Sequence, residues 1–137
     1  MSIINSRLSH GEKYDQFERA KNGEIKIMIG PRTALFTPFK NLGLIIIDEE
    51  HDGAYKSDKM PKYHTRDVAI KRAQIQGAAV VLGSATPSVE SFYRAKKGEY
   101  SLHRLDKRAG LAVLPEVKLV DMRRELKSGN RDAFSRE

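Results

Sequence analysis

Five consecutive ionisable residues, Asp48, Glu49, Glu50, His51 and Asp52, follow the aliphatic run Leu44, Ile45, Ile46, Ile47. Four carboxylates this close repel one another, so solvent, basic partners or a cation must offset the repulsion. An apolar strand ending in Asp-Glu suits nucleotide chemistry. The aspartate can hold magnesium, directly or through water, because that ion takes one or two protein carboxylates and fills its other positions with water and phosphate oxygens. The glutamate can accept a proton from the water that attacks a terminal phosphate. A strand end with solvated acids has the same beginning. The third acid and the histidine weigh against it, since they add repulsion and desolvation without packing.

Three further groups carry polar chemistry. In Gly83–Ser88 (GSATPS) the small hydroxyl residues can bond to the acids or to a phosphate, or simply cap a helix opening at Pro87. In Gly30–Phe36 (GPRTALF) Arg32 can pair with a phosphate and Thr33 can add a hydrogen bond; a turn with a solvated arginine is the alternative. Tyr55, Lys56, Lys59, Lys62, Tyr63, His64 and Arg66 mix rings with cations, which suits single strands whose bases stack and whose phosphates meet charge, or an exposed charged loop. A metal-dependent hydrolase built on Asp48, Glu50, His51 and His64 is a third class of reading, although no H-E-x-x-H spacing supports it. His10 and His103 read as surface residues.

The elements that must position these groups follow from pattern. Ser9 and Glu12 have capping-box spacing, and Tyr14, Phe17 and Ala20 continue a helix towards Gly23. EIKIMIG alternates like a strand, with Ile25, Ile27 and Ile29 on one face. GPRTALFTPFKNLG reads as loop with one helical turn, and LIIID as a strand buried on both faces. Residues 53–64 read as a polar loop. Thr65 is the expected N-cap of a helix with Val68, Ala69 and Ala73 inward and Gly77 as its stop. AAVVLG is a second fully apolar strand, followed by a helix from Pro87 to Gly98. YSLHRL and VKLVD read as weaker strands, and residues 122–137 as a polar tail that frays. Strand, crossover helix and strand in alternation predict an α/β domain with a mainly parallel sheet. Ligands in such sheets sit beyond the C-terminal strand ends, where both LIIID and AVVLGSAT place their polar residues.

The chain has 137 residues, 39% hydrophobic and 31% charged, which fits one globular domain. A net charge of +7 favours an anionic partner such as nucleic acid. The absence of cysteine excludes a disulfide framework or cysteine-ligated zinc within the chain and fits a cytoplasmic protein. MSIINSRLSHGEK lacks the pattern of a signal peptide, and no apolar run is of membrane-spanning length.

In order, GPRTALFTPFKNLGLIIIDEEHD, YHTRDVAIKRA and VVLGSATPSVES resemble the superfamily 2 helicases and, more narrowly, the primosomal replication-restart helicases. The resemblance implies a partial RecA-like (P-loop NTPase) lobe over residues 1–121, with 122–137 a linker towards a second lobe. It implies ATP and magnesium as cofactors, Asp48 as the metal ligand, and Asp48 and Glu49 as catalytic. Glu50 and His51 complete the nucleotide box, and Gly83, Ser84, Ala85 and Thr86 couple nucleotide state to DNA contacts. Arg32, Thr33, Tyr55, Lys56, Lys62, Tyr63, His64 and Arg66 fall where the family meets DNA. The implied activity is 3′-to-5′ translocation on single-stranded DNA at forks, with other primosome proteins as partners. A non-catalytic nucleic-acid- or partner-binding domain reusing the fold is the alternative.

The departures matter too. No G-x-x-x-x-G-K-[ST] occurs, nor the arginine motif of a second lobe, and the family's zinc would lie outside this chain. Asn5 stands where a histidine is expected, and Pro31 precedes Arg32 where a small or hydroxyl residue is usual. The expectation is half of an ATP site, with negligible turnover alone and an apolar strand edge near AVVLG that invites self-association.

Overall fold

Ser9 opens helix α1 (His10–Lys21) in the computed structural model, as its spacing to Glu12 predicts. The Ser9 hydroxyl accepts from the Glu12 N–H, and the Glu12 carboxylate accepts from the Ser9 N–H. Gly23 follows in the left-handed region. The structure describes residues 1–107, 116–132 and 134, in two units, Met1–Leu102 and His103–Glu137.

Strands β1 (Ser2–Ile3) and β2 (Met28–Ile29) pair in parallel, Ser2 opposite Met28. The strand expected over EIKIMIG is therefore shorter, because its partner offers only two residues. Its alternation is also corrected: Ile25 is buried while Ile27 and Ile29 are exposed. Gly30 ends this strand where a Cβ would lie 2.9 Å from the Ile4 carbonyl oxygen, so only glycine lets the chain pass into the 3-10 turn Arg32–Phe36.

Strands β3 (Leu44–Ile47) and β6 (Ala79–Leu82) pair in parallel over four residues, Leu44 opposite Ala79 and Ile47 opposite Leu82. Between them runs helix α2 (Thr65–Gln76), the crossover that parallel pairing requires. Ala69 packs with Leu35 and Ile47 to form the core, against Ile45, Tyr55, Val68, Val80 and Leu82. The expectation of strands buried on both faces is overturned. Ile46 is 66% exposed, and Leu44 and Val81 are each 49% exposed. The side chains alternate across the pleat, and α2 with the 3-10 turn cover one face.

Strands β4 (Lys56–Ser57) and β5 (Tyr63–His64) make a short antiparallel hairpin where a plain loop was expected. Thr65 is not the N-cap of α2. The His64 Nδ1 accepts from the Arg66 N–H at 3.3 Å, and the Thr65 hydroxyl donates instead to the Tyr55 carbonyl at 2.8 Å. Gly77 stops α2 with φ 67°. Helix α3 (Val89–Lys96) starts at Ser88, whose hydroxyl accepts from the Ser91 N–H.

YSLHRL is not a strand, and neither is VKLVD; neither pairs with another strand among the described residues. In the second unit the tail expected to fray contains helix α4 (Met122–Lys127). Asp121 caps it, and buried Asn130 donates to the Glu125 carboxylate and the Phe134 carbonyl, at 2.7 and 2.9 Å. Residues 108–115, 133 and 135–137 of the expected lobe and tail lie outside the described residues.

Candidate functional site: an acid box interlocked with a hydroxyl turn

Four aliphatic residues set the direction of β3, and the chain must then turn. It does so at Glu49, with φ 46°, the single non-glycine residue among those described with positive φ. Left-handed backbone at such a residue costs on the order of 1–3 kcal/mol and is retained where surrounding contacts over-determine it. Those contacts are present. The Asp48 carboxylate accepts from the Glu49 N–H at 3.0 Å, and the Glu50 N–H donates to the Gly83 carbonyl at 3.0 Å. The Gly83 N–H in turn donates to the Ile47 carbonyl at 2.8 Å. The parallel ladder thus continues past the strands and fixes the box to the turn that leaves β6.

The turn at Glu49 gives adjacent acids opposite surroundings. Asp48 and Glu49 are exposed, whereas Glu50 is 2% exposed. The Glu50 carboxylate accepts from the Ser88 N–H at 2.7 Å, the Ser91 hydroxyl at 3.0 Å and the Ser88 hydroxyl at 3.2 Å. Arg66 Nη1 stands 3.7 Å from it and donates to both serine oxygens at 3.1 Å. Burial pushes the Glu50 carboxyl up, but the Ser88 N–H, the Ser91 and Ser88 hydroxyls and the Arg66 charge outweigh it and hold the group below its ordinary value.

His51 joins the box to the Gly-Ser-Ala-Thr turn. Its Nδ1 lies 2.7 Å from the Ser84 hydroxyl and 3.5 Å from the Glu49 carboxylate, and its Nε2 lies 3.4 Å from the Thr86 hydroxyl. The Ser84 hydroxyl also accepts from the Thr86 N–H at 3.0 Å, which tightens the turn. Gly83 brings backbone close to Asp48, with a Cβ there 3.6 Å from Oδ1, and Ala85 is exposed between the hydroxyls.

The ring-and-cation loop sits against the same strand end. The Tyr55 hydroxyl donates to the Asp48 carbonyl at 2.7 Å. Burial raises the Tyr55 phenol above its ordinary value, and Asp48, Asp52 and Glu49 raise it further. Arg32 Nη1 donates to the Ala54 and Lys56 carbonyls, both at 2.9 Å, so this side chain braces the loop from the Gly30 turn. Thr33, Lys56, Lys59 and Lys62 are exposed. Tyr63 is half-buried edge-to-face on Phe36, with ring centroids 5.6 Å apart. His64 caps α2, and Arg66 is buried with Glu50. The structure therefore gathers Asp48, Glu49, His51, Ser84 and Thr86 at one strand end. It separates Glu50 and Arg66 from that surface.

No group of three or more potential ligands among the described residues could hold a metal ion by itself, which removes the geometric basis for the hydrolase reading. Glu50 serves serines and Arg66, and His64 serves a helix. Magnesium is a different case, since it asks for one or two carboxylates. Asp48 fits: it is exposed, it leaves the strand end, and its Oδ1 is held by a backbone N–H.

Two site residues, Ser91 and Arg72, were not singled out from sequence. Ser91 holds Glu50 together with Ser88, the last hydroxyl of GSATPS, and its three-residue spacing from Ser88 was a readable sign of two hydroxyls on one helical turn. Arg72 donates to the Leu35 and Thr37 carbonyls and anchors the end of the 3-10 turn. Nothing local marks it, because its partners lie 35 and 37 residues away.

A parallel strand pair, a helical crossover, and an acid box locked to a hydroxyl turn define an α/β module that presents carboxylates beyond a strand end. No protein-family model matches the chain. It is 53% identical over its whole length to the replication restart protein PriA of Bacillus subtilis. It is 49% identical over 92% of its length to that of Chlamydia muridarum, and 46% identical over 99% to that of Synechocystis. In each case it spans 17% of the relative's length. The chain belongs to the PriA replication restart proteins and corresponds to one segment of them.

Proposed function

We propose that this segment forms part of the first RecA-like motor lobe of an ATP-dependent 3′-to-5′ DNA helicase that acts in replication restart and primosome assembly. Magnesium with ATP, when bound, offsets phosphate charge. Asp48 would hold that ion, and Glu49, exposed beside it, would take the proton from the attacking water. His51 would sense the site through Ser84 and Thr86. Lys56, Lys62 and Tyr63, with Arg32 and Thr33 behind them, would meet single-stranded and forked DNA. Other primosome proteins would be further partners, and the cytoplasm the compartment. No helix among the described residues is long and apolar enough to cross a membrane.

The observation that carries this reading is the interlock: Glu50 N–H to the Gly83 carbonyl, and His51 to Ser84 and Thr86. It joins two motifs 33 or more residues apart at the C-terminal ends of neighbouring parallel strands, where α/β sheets bind ligands. The test is Glu49→Gln in a full-length PriA carrying this segment. DNA-stimulated ATP hydrolysis should fall by about 10²–10⁴-fold, the span attributed to a general base. Unchanged hydrolysis would overturn the assignment. The present chain alone, which contains no G-x-x-x-x-G-K-[ST], should turn over ATP negligibly.

A further inference from the structure

One aromatic ring is held outside the core by a turn that is clamped at both ends. Side chains three residues apart eclipse in a 3-10 turn, so within Arg32–Phe36 one edge carries Thr33 and Phe36 and another carries Arg32 and Leu35. The second edge is tied down: Leu35 lies in the core, and Arg32 donates to the Ala54 and Lys56 carbonyls at 2.9 Å. The first edge is open, with Thr33 exposed and Phe36 50% exposed. Arg72 fixes the backbone on either side of Phe36. Its Nη1 donates to the Leu35 carbonyl and its Nη2 to the Thr37 carbonyl, the latter at 2.6 Å. Thr37 is buried, and its hydroxyl donates to the Ala34 carbonyl at 2.8 Å. The Phe36 ring itself meets Tyr63 with the two planes 85° apart.

A single exposed apolar side chain is common and calls for no explanation. Phe36 differs in how firmly it is presented. Burial lowers the Arg72 guanidinium below its ordinary value, so the clamp is made at a desolvation cost. The result is a flat ring of fixed direction beside a hydroxyl, and the exposed Lys62 directly precedes its partner Tyr63. A protein anchor is ordinarily seated among apolar neighbours that exclude water. Here the companion on the same edge is polar and the chain carries a net charge of +7. That combination suits a ligand with a π-face and an attached anion. We propose that Phe36 is a stacking site for a nucleobase of single-stranded DNA, that the phosphate of the same nucleotide meets the Thr33 hydroxyl, and that Arg72 is a positioning residue that holds the ring in place. This rests on the DNA-binding part of the reading above. It adds contact with a base to a surface otherwise argued from charge, and stacking tolerates any base.

The experiment uses full-length PriA carrying this segment. Affinity is measured across a salt series for oligothymidylate and for an abasic oligonucleotide of equal length, with thermal unfolding as a control. Wild type should prefer the base-bearing strand. Phe36→Ala should reduce that preference by about 5- to 100-fold, the span of one stacked base. Its salt slope should not change, because no phosphate contact is lost. Phe36→Leu keeps an apolar side chain against Tyr63 without the π-face and should reduce the preference as well. Arg72→Lys keeps the charge but not the two-carbonyl fork, and should reduce the preference by a smaller factor with the slope again unchanged. Phe36 variants that keep the full preference would overturn the proposal, whether or not they unfold at lower temperature, and would leave the ring as a packing surface for protein. Equal losses on both oligonucleotides would overturn it too. Lys62→Ala run alongside separates the two readings: it should lower the slope by about 0.7 and spare the preference. If wild type binds neither oligonucleotide, the DNA-binding reading fails and the stacking site with it. If wild type binds and Lys62→Ala lowers the slope while the Phe36 variants keep the preference, only the stacking site fails.

Discussion

Glu49 and Glu50 are neighbours with the same side chain and opposite fates. One is exposed in a left-handed turn, and the other is sealed among Ser88, Ser91 and Arg66. The difference teaches that the acid box is two devices. Its outward half can act on a ligand, and its inward half fixes the frame. The largest effect should come from exchanging the outward acid. On the proposed function, Glu49→Gln in the full-length protein should lower ATP hydrolysis by about 10²–10⁴-fold and leave the folded chain about as stable as before, because surface substitutions usually stay within about 0.5 kcal/mol. Glu50→Ala should do the reverse in an unfolding experiment. It strands Arg66 in the interior and should cost about 3 kcal/mol or more, as for other broken buried pairs. Equal stability of the two variants would dissolve the distinction.

The two faces of the β3–β6 pair repeat the contrast in apolar form. Ile47 is 4% exposed and packs on Leu35 and Ala69, while Ile46 is 66% exposed. Ile47→Ala should destabilise the chain by about 2–4 kcal/mol through lost burial and a residual cavity. Ile46→Ala should cost well under 1 kcal/mol on the usual surface scale. Instead, Ile46 should govern association. An exposed stripe of Leu44, Ile46 and Val81 predicts that this chain self-associates as its concentration rises. Ile46→Lys should shift sedimentation towards monomer. A wild-type chain that stays monomeric across a wide concentration range would show that the face is adequately covered by solvent alone.

Lys62 offers a smaller and more specific test of the hairpin surface. It is exposed, with no hydrogen bond or ion pair among the described residues, so Lys62→Ala changes charge without unsettling the fold. If it meets one phosphate of single-stranded DNA, its loss should weaken binding and reduce the log–log salt slope by about 0.7. Arg32→Ala is a less clean probe, since it also releases the Ala54 and Lys56 carbonyls. A slope unaltered by Lys62→Ala would remove this lysine from the DNA surface.

The sequence disclosed the local features and hid the long-range ones. The Ser9–Glu12 capping box, the Gly77 stop and the strand–helix–strand order are encoded by neighbours within a turn or two, and the structure has them all. The acid box and the hydroxyl turn were legible because their residue types are unusual at strand ends. What failed depended on partners. Uninterrupted aliphatic runs read as strands buried on both sides, but coverage is decided by which elements pack there, and Ile46 shows that one face is open. Thr65 has the right chemistry for a cap and lost the position to His64, because the Tyr55 carbonyl claimed its hydroxyl. Arg66 read as one of the loop cations that meet DNA, yet it is buried; nothing local reveals a carboxylate 16 positions back and two serines 22 and 25 positions ahead.

The smallest effect, and the sharpest on the inward acid, lies in pH. Hydrogen bonds from Ser88 and Ser91, with Arg66 nearby, hold the folded-state Glu50 carboxyl below its ordinary value despite burial. The unfolded chain therefore binds the proton first as pH falls. The stabilisation this group supplies is complete above the unfolded carboxylate range and is lost as pH drops through the folded value. Thermal unfolding followed from neutral to acid pH should show that loss, and Glu50→Gln, which has no proton to gain, should flatten it while lowering stability at neutral pH. Glu12 is lowered in the same direction by the Ser9 backbone and hydroxyl, but it is fully exposed. Glu12→Gln should accordingly leave most of the acid limb in place. If Glu50→Gln leaves the limb intact as well, the carboxylates that unfold this chain in acid lie elsewhere, and the inward half of the box is held by packing rather than by charge.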